Sequence, residues 1–337
     1  MQPRYVPRKG RLSVLRRRAT IVVVAMLAAC TPRSVAESIV LGDAVIRTPE
    51  LAYGEDGRQT LDIYRASLTR KGAPVVVFLY GGRWKYSTEN DYLLVGNALA
   101  RQGWIAVLPN YRLFPSARFP AWVVDGASAV RWTRGHVAQY GGDSTNIVVV
   151  GHSSSGHTVA MLALDDQYLR AAGVPAGAVR GFVSMSGPVD TTWTDEDVQQ
   201  MMGPSAQWPV TYPSSFVNGR NPPLLLLHGE SDSVVTVGNS VRLAELVRRR
   251  GGCVRLETYR GIGHVKIVLA IVFRSIAPVL RDLAAFVHDP DGYACGPLAA
   301  RGNTGEPPAE LGMPAKPDLH TPQRPLPNGW HHIAYIR

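Results

Sequence analysis

Apolar positions in this chain fall into short unbroken runs separated by segments of helix length. Pro74 to Tyr80 (PVVVFLY), Trp104 to Leu108 (WIAVL), Asn146 to Val150 (NIVVV), Val179 to Ser184 (VRGFVS) and Pro223 to His228 (PLLLLH) are rich in β-branched residues or leucine. Runs of this kind, without polar alternation, predict strands buried on both faces. Between them, residues 89–102, 122–140, 156–164 and 238–250 predict helices. In the last of these, Val241, Leu243, Leu246 and Val247 share a helical face, and Arg248 to Arg250 precede a Gly251-Gly252 stop. A further strand over 254–259 and one long helix over 267–287 close the pattern. Strand and helix in repeated alternation imply a mostly parallel sheet covered on both faces, which assigns a domain to residues 46–290.

Two regions break the rhythm. Residues 188–222 form a long Pro-, Ser- and Trp-containing connection between two strands, expected to act as a lid or pocket wall. Residues 296–337 contain eight prolines and no apolar period, which predicts a disordered or loosely docked tail.

Composition changes this picture only at the N-terminus. The chain has 337 residues, 45% apolar, with 36 Lys and Arg against 26 Asp and Glu and a net charge of +10. These values exclude a polytopic membrane protein and a wholly disordered chain, and three cysteines exclude a disulfide scaffold. The charge would suggest nucleic acid or an anionic surface if it belonged to the domain. It does not, because seven basic residues and no acid lie in residues 1–18, and without them the balance is 29 − 26 = +3. The apolar run Ile21 to Ala29 follows, too short to span a bilayer but suited to a signal peptide. Leu27-Ala28-Ala29-Cys30 resembles a bacterial lipobox, so residues 1–29 are expected to be removed and Cys30 to carry lipid, followed by a linker over 30–45. Arg17-Arg18 also permits a twin-arginine signal. The expected location is the periplasmic side of the cell envelope, with a membrane anchor at Cys30 and no nucleic-acid partner. In that oxidising compartment Cys253 and Cys295, 42 residues apart, are the remaining even pair and are expected to form a disulfide.

The chemistry lies after the strands. Val148 to His157 reads VVVGHSSSGH, a strand entering glycine, serine and then a helix. A tight strand-to-helix turn of this type lifts one hydroxyl out of the sheet and needs small neighbours, which makes Ser153 the expected nucleophile. The pattern departs from Gly-x-Ser-x-Gly, since Ser155 holds the fifth position and Gly156 follows it. A serine requires a base and a group to hold that base. His264, in Gly261-Ile262-Gly263-His264, follows the final strand, and Asp232, in His228-Gly229-Glu230-Ser231-Asp232, follows the leucine strand. Asp190, after an earlier strand, is the rival acid and ranks below Asp232. Tyr80-Gly81-Gly82-Arg83-Trp84 ends a strand with paired glycines, whose amides can turn toward an oxyanion. The expected donors are the N–H groups of Gly81, Gly82 and Ser154. Trp84, Tyr86, Trp193 and Trp208 are expected pocket aromatics. His152 is read as a packing residue of the elbow, His157 as a helix-face contact and His228 as an organiser of its loop. No H-E-x-x-H or paired C-x-x-C occurs, and His331-His332 lie in the tail, so no metal site and no cofactor is expected.

Residues 50–290 resemble an α/β-hydrolase of the carboxylesterase branch, similar to hormone-sensitive-lipase-like and kynurenine-formamidase-like enzymes. The resemblance rests on the glycine pair with Trp84, Asn110-Tyr111-Arg112 with Pro115, Tyr140-Gly141-Gly142-Asp143, the serine elbow, His228-Gly229 with Asp232 and Val235, and the glycine-flanked His264. It implies a central sheet of about eight mostly parallel strands flanked by helices, with a Ser153, His264, Asp232 triad. Tyr80 stands where the family usually has histidine, and Ser155 where it has glycine. The expected activity is hydrolysis of small or medium carboxylic esters, because residues 188–222 are too short for a large cap. Aryl amide hydrolysis of the formamidase type is the nearest alternative, and a non-catalytic envelope-binding module on the same fold is the other.

Overall fold

A computed structural model describes residues 44–189 and 193–296. The signal peptide, Cys30, most of the linker, Asp190 and all of the Pro-rich tail but Gly296 lie outside the described residues. A single eight-stranded sheet organises the domain, in the order β1-β2-β4-β3-β5-β6-β7-β8.

The chain enters at one edge through β1 (Val45–Ala52) and β2 (Thr60–Ala66), paired antiparallel with Val45 opposite Ala66. Neither strand is marked by an apolar run. β1 contains Pro49 and Glu50 at a register shift between Thr48 and Leu51, the edge-strand bulge in which proline is tolerated. β2 carries Asp62, fully buried because the Arg47 guanidinium pairs with it. β2 runs antiparallel to β4, and all later neighbours are parallel.

β3 (Ala73–Leu79) leads through a 3-10 turn at Glu89–Tyr92 into α1 (Leu93–Ala100), and β4 (Ile105–Pro109) leads to α2 (Ala121–His136). The helix expected over 122–140 tightens to 3-10 at 137–140 and stops at Gly141, whose φ of 93° only glycine adopts freely. β5 (Gly142–His152) is the longest strand and is followed at once by α3 (Ser154–Leu164), every residue of which is buried. A short α4 (Gln167–Ala171) precedes β6 (Gly181–Met185). The 188–222 connection is built of α5 (Glu196–Met202) and two 3-10 turns, Ser205–Thr211 and Pro213–Phe216.

β7 (Leu224–Gly229), α6 (Gly238–Arg249) and β8 (Val254–Tyr259) then complete the sheet. The single helix expected beyond this point is not formed. Residues 267–287 form two helices, α7 (Lys266–Val272) and α8 (Val279–His288), with α9 (Pro290–Cys295) after them. Pro278 lacks an N–H and disfavours helical backbone in the residue before it, so the i to i−4 ladder cannot run through. The apolar period survives the break because α7 and α8 both turn apolar faces inward, with Ile267, Ile271, Val279, Leu283 and Phe286 fully buried. Cys253 at the start of β8 and Cys295 at the end of α9 are joined as a disulfide, Cα to Cα 4.7 Å.

Parallel β3, β5, β7 and β8 all end at the same edge of the sheet. That edge gathers the loops after Leu79, His152, Gly229 and Tyr259.

Candidate active site

Ser153 sits between β5 and α3 at φ 56°, ψ −122°, a conformation that a non-glycine residue holds only when its surroundings enforce it. The enforcement is close packing. A Cβ on Gly151 would collide with the Ser155 carbonyl, and one on Gly156 would lie 2.8 Å from Gly187 Cα. Ser155, the departure from the family glycine, donates its hydroxyl to the Tyr80 carbonyl at 2.5 Å. It therefore pins the elbow to the end of β3.

His264 comes from the loop after β8 and Asp232 from the loop after β7. His264 Nε2 lies 2.7 Å from Ser153 Oγ, and His264 Nδ1 lies 2.8 Å from Asp232 Oδ2. The other carboxylate oxygen, Oδ1, accepts the N–H groups of Val234 and Val235 at 3.0 and 2.9 Å. Burial alone would raise the Asp232 pKa. The hydrogen bond and charge of His264, with the Val235 amide, outweigh burial and hold the carboxyl below its ordinary value. Asp232 is thus ionised and acceptor-only, so Nδ1 of His264 carries the proton and Nε2 is free to accept one from Ser153. His228 donates from Nε2 to the Val235 carbonyl at 2.8 Å and accepts at Nδ1 from Ser240 Oγ at 2.7 Å, which orders the Asp232 loop. Burial lowers its pKa and keeps it neutral beside Asp232.

The loop after β3 requires a correction. The Gly81 N–H donates to the Tyr92 hydroxyl at 3.2 Å and is not available to an oxyanion. Among the described residues no hydrogen bond is made by the amides of Gly82 or Ser154, which leaves those two donors. Gly82 has φ 138°, and a Cβ there would strike the Tyr86 carbonyl, so the turn depends on glycine. Tyr80, in the family's histidine position, is stacked between the rings of Tyr92 and Tyr111. Its hydroxyl donates to Asn110 Oδ1 at 2.7 Å and accepts from Arg58 at 2.9 Å. The phenol thus replaces the histidine as a fixed point for the loop.

Ser153 and Ser154 open onto a cavity of about 360 Å³. Trp84 and Trp193 line it, together with Arg83, Thr194, Asp195, Val235 and Asn239 among others. Arg83 pairs with Asp195 at 2.6 Å, and Lys85 with Asp197 at 2.9 Å, joining the glycine loop to the start of α5. The 188–222 connection is therefore a wall of the pocket, held from below by His157, whose Nε2 donates to the Thr211 carbonyl at 2.7 Å. Tyr86 and Trp208 are not among the lining residues. Tyr86 is 54% exposed, and the half-buried Trp208 donates its indole N–H to the Gly203 carbonyl. Nothing in the sequence joins Arg83 to Asp195, 112 positions away. Among the described residues no cluster of His, Cys, Asp and Glu is arranged to hold a metal ion.

A family model described as BD-FAE matches residues 61–247, more than half of the chain. The chain belongs to the BD-FAE family. Its curated relatives include "Esterase LipC" of Mycobacterium tuberculosis, 30% identical over 58% of this chain and 54% of the relative. "Esterase LipQ" of the same organism is 29% identical over 72% of this chain and 63% of its own length. The chain thus spans between half and two-thirds of these relatives. Similar solved structures include a "truncated form of carbohydrate esterase from gut microbiota", at TM-score 0.64 and 22% identity, covering 74% of this chain and 98% of that one. Esterase B from Lactobacillus rhamnosis has TM-score 0.63 at 19% identity, covering 80% of this chain and 97% of that one. These structures share the α/β-hydrolase fold with this BD-FAE chain. The family match begins within β2 and ends within α6, so it contains Ser153 and Asp232 but not His264.

Proposed function

We propose that the protein hydrolyses small or medium carboxylic esters through an acyl-enzyme on Ser153. The observation that carries this reading is the continuous chain from Ser153 Oγ through His264 to Asp232, at 2.7 and 2.8 Å, on a strained elbow beside a cavity. Ser153 Oγ attacks the ester carbonyl carbon while its proton passes to His264 Nε2, and Asp232 stabilises the imidazolium. The oxyanion that forms is met by the Gly82 and Ser154 amides, the latter at the positive end of α3. Collapse breaks the bond to the alcohol oxygen, which takes the proton from His264. Water then attacks the acyl-serine, gives its proton to the same nitrogen, and acid and free serine are released.

A cavity of about 360 Å³ suits an acyl or alcohol group of modest size, and the names of the relatives as esterases support the ester bond as the target. The test uses p-nitrophenyl acetate and butyrate. Wild-type protein is expected to hydrolyse both, and Ser153→Ala to lose the activity and its labelling by a fluorophosphonate. Equal rates for the two proteins would overturn the reading.

The proposed location rests on the N-terminal sequence. Residues 1–29 are read as a lipoprotein-type signal peptide and Cys30 as the lipid-bearing first residue, which would place the enzyme on the periplasmic side of the envelope. Since one acyl chain anchors only weakly, the anchor is expected to carry several. Cys30→Ser should abolish incorporation of labelled fatty acid into the protein and change its mass. A variant that stays membrane-bound at unchanged mass would refute the anchor.

A further inference from the structure

We propose that His152, one residue before the nucleophile, is a positioning residue that holds both the base and the oxyanion loop in register with Ser153. The inference rests on the esterase reading above and names a residue of the same site.

His152 is 5% exposed, and its Nε2 lies 3.0 Å from the His264 main-chain carbonyl. A carbonyl only accepts, so Nε2 carries the proton and Nδ1 bears the lone pair. Burial, with the neighbouring His264 adding to it, lowers the His152 pKa to about 3, so the ring is neutral wherever an esterase would work. The two imidazoles pack with centroids 4.9 Å apart. His264 is thus held twice, through its side chain by Asp232 and through its main chain by His152.

The other edge of the His152 ring faces the glycine loop. Nδ1 has no hydrogen-bond partner among the described residues although it is buried. The direction in which Gly81 would carry a side chain points at this nitrogen, 2.9 Å from the Cβ position, and equally at Ser153 Cβ. Gly81 therefore packs against this nitrogen at a range that leaves no room for a side chain, close enough for a weak Cα–H contact. Gly81 itself is fixed from the far side by the Tyr92 hydroxyl. A packing residue would need neither a donor on one edge nor a lone pair on the other. Misplacing a reacting group by an ångström is enough to slow chemistry about a hundredfold, which sets the scale of the effect.

The experiment compares wild type, His152→Phe and His152→Gln in steady-state hydrolysis of p-nitrophenyl acetate, with thermal melts of each and Ser153→Ala as the reference. Phe keeps the ring and removes the donor, whereas Gln places an amide N–H near the Nε2 position. Expected is a fall in kcat of about 10- to 100-fold for His152→Phe with KM nearly unchanged, and recovery of most of that loss in His152→Gln. Wild-type kcat in His152→Phe, or a Gln variant no better than Phe, would overturn the proposal while leaving the triad untouched. An inactive wild type would instead bring down the esterase reading and this inference with it. A second measurement needs no variant to fold: ¹⁵N NMR of histidine-labelled wild type should show His152 as the neutral Nε2–H tautomer between pH 5 and 8. An Nδ1–H tautomer or a charged ring would refute the assignment.

Discussion

Ser155 and Gly82 show how single residues set the site's geometry. Ser155 occupies the family's glycine position and replaces backbone freedom with a hydrogen bond to the Tyr80 carbonyl. Ser155→Gly should therefore cost stability, about 1–2 kcal/mol from a lost buried bond and a more flexible unfolded chain, read as a lower urea midpoint at unchanged slope. Gly82 is constrained by space, since any side chain meets the Tyr86 carbonyl at a φ that L-residues avoid. Gly82→Ala should displace the donor that faces developing charge and lower kcat about 10²- to 10³-fold, with a much smaller change in KM. A change confined to KM would show that the loop binds the ground state and does not stabilise the transition state.

At the scale of elements, ion pairs tie the pocket wall to the glycine loop and a disulfide ties the C-terminal helix to the sheet. Asp195 starts α5 and meets Arg83 across the cavity with both side chains partly exposed. Asp195→Asn can still cap the helix but removes the charge. It should raise KM about two- to fivefold at low salt with kcat preserved, and the difference should close in 0.5 M NaCl, where the wild-type pair is screened. The disulfide ties α9 to β8 across 42 residues of sequence. Cys253→Ser with Cys295→Ser should lower unfolding free energy by about 2–4 kcal/mol by denaturant titration, with ester hydrolysis at 25 °C intact, because the bridge lies away from the Ser153 edge.

The same scale separates what is legible in a sequence from what is not. The five strands marked by apolar runs lie where those runs are, since strands buried on both faces need continuous apolar sequence, and the edge strand β8 lies at the expected 254–259. β1 and β2 escape because a bulge with Pro49 and a buried Asp62 hide their pattern. The 267–287 helix is misread as one because apolar period persists through a proline break. Ser153, Asp232 and His264 are legible because each follows a strand, and strand ends in a parallel sheet converge. The supporting contacts, Tyr92 on Gly81 and Arg83 on Asp195, depend on three-dimensional approach that no local pattern encodes.

Over the whole molecule, the buried titratable groups dictate how stability depends on pH. His152, His157 and His228 are all buried, and burial is the first cause of a lowered pKa in each, reaching about 3 in His152 and about 4 in His157. The unfolded chain takes up these protons near pH 6.5, whereas the fold refuses them until far lower pH. Their stabilisation is thus complete above about pH 6.5 and is lost as pH falls toward the folded values. Each proton mismatch gives a slope of about 1.4 kcal/mol per pH unit, so His152 and His157 together approach about 2.7 kcal/mol per unit between roughly pH 6 and 4, and His228 adds to the loss in the same direction. Asp232, held below its ordinary value, adds its own loss only at still lower pH. Glu89, raised first by burial and then by Asp62, opposes the trend weakly near its own titration. On the alkaline side burial raises the Tyr64, Tyr92 and Tyr111 phenols, Tyr111 to about 12, so their contribution is present below about pH 10 and declines above it. Urea unfolding from pH 8 to 4.5 should therefore show a plateau near neutrality and a steep acid limb. His157→Phe, which keeps a ring among Trp84, Trp193 and Phe119, should lower the plateau by exposing the cost of an unpaired Thr211 carbonyl, yet flatten the acid limb by about 1.4 kcal/mol per unit. An acid limb of unchanged slope in that variant would mean that His157 takes up its proton in the folded state, and that the pocket wall is looser than its contacts indicate.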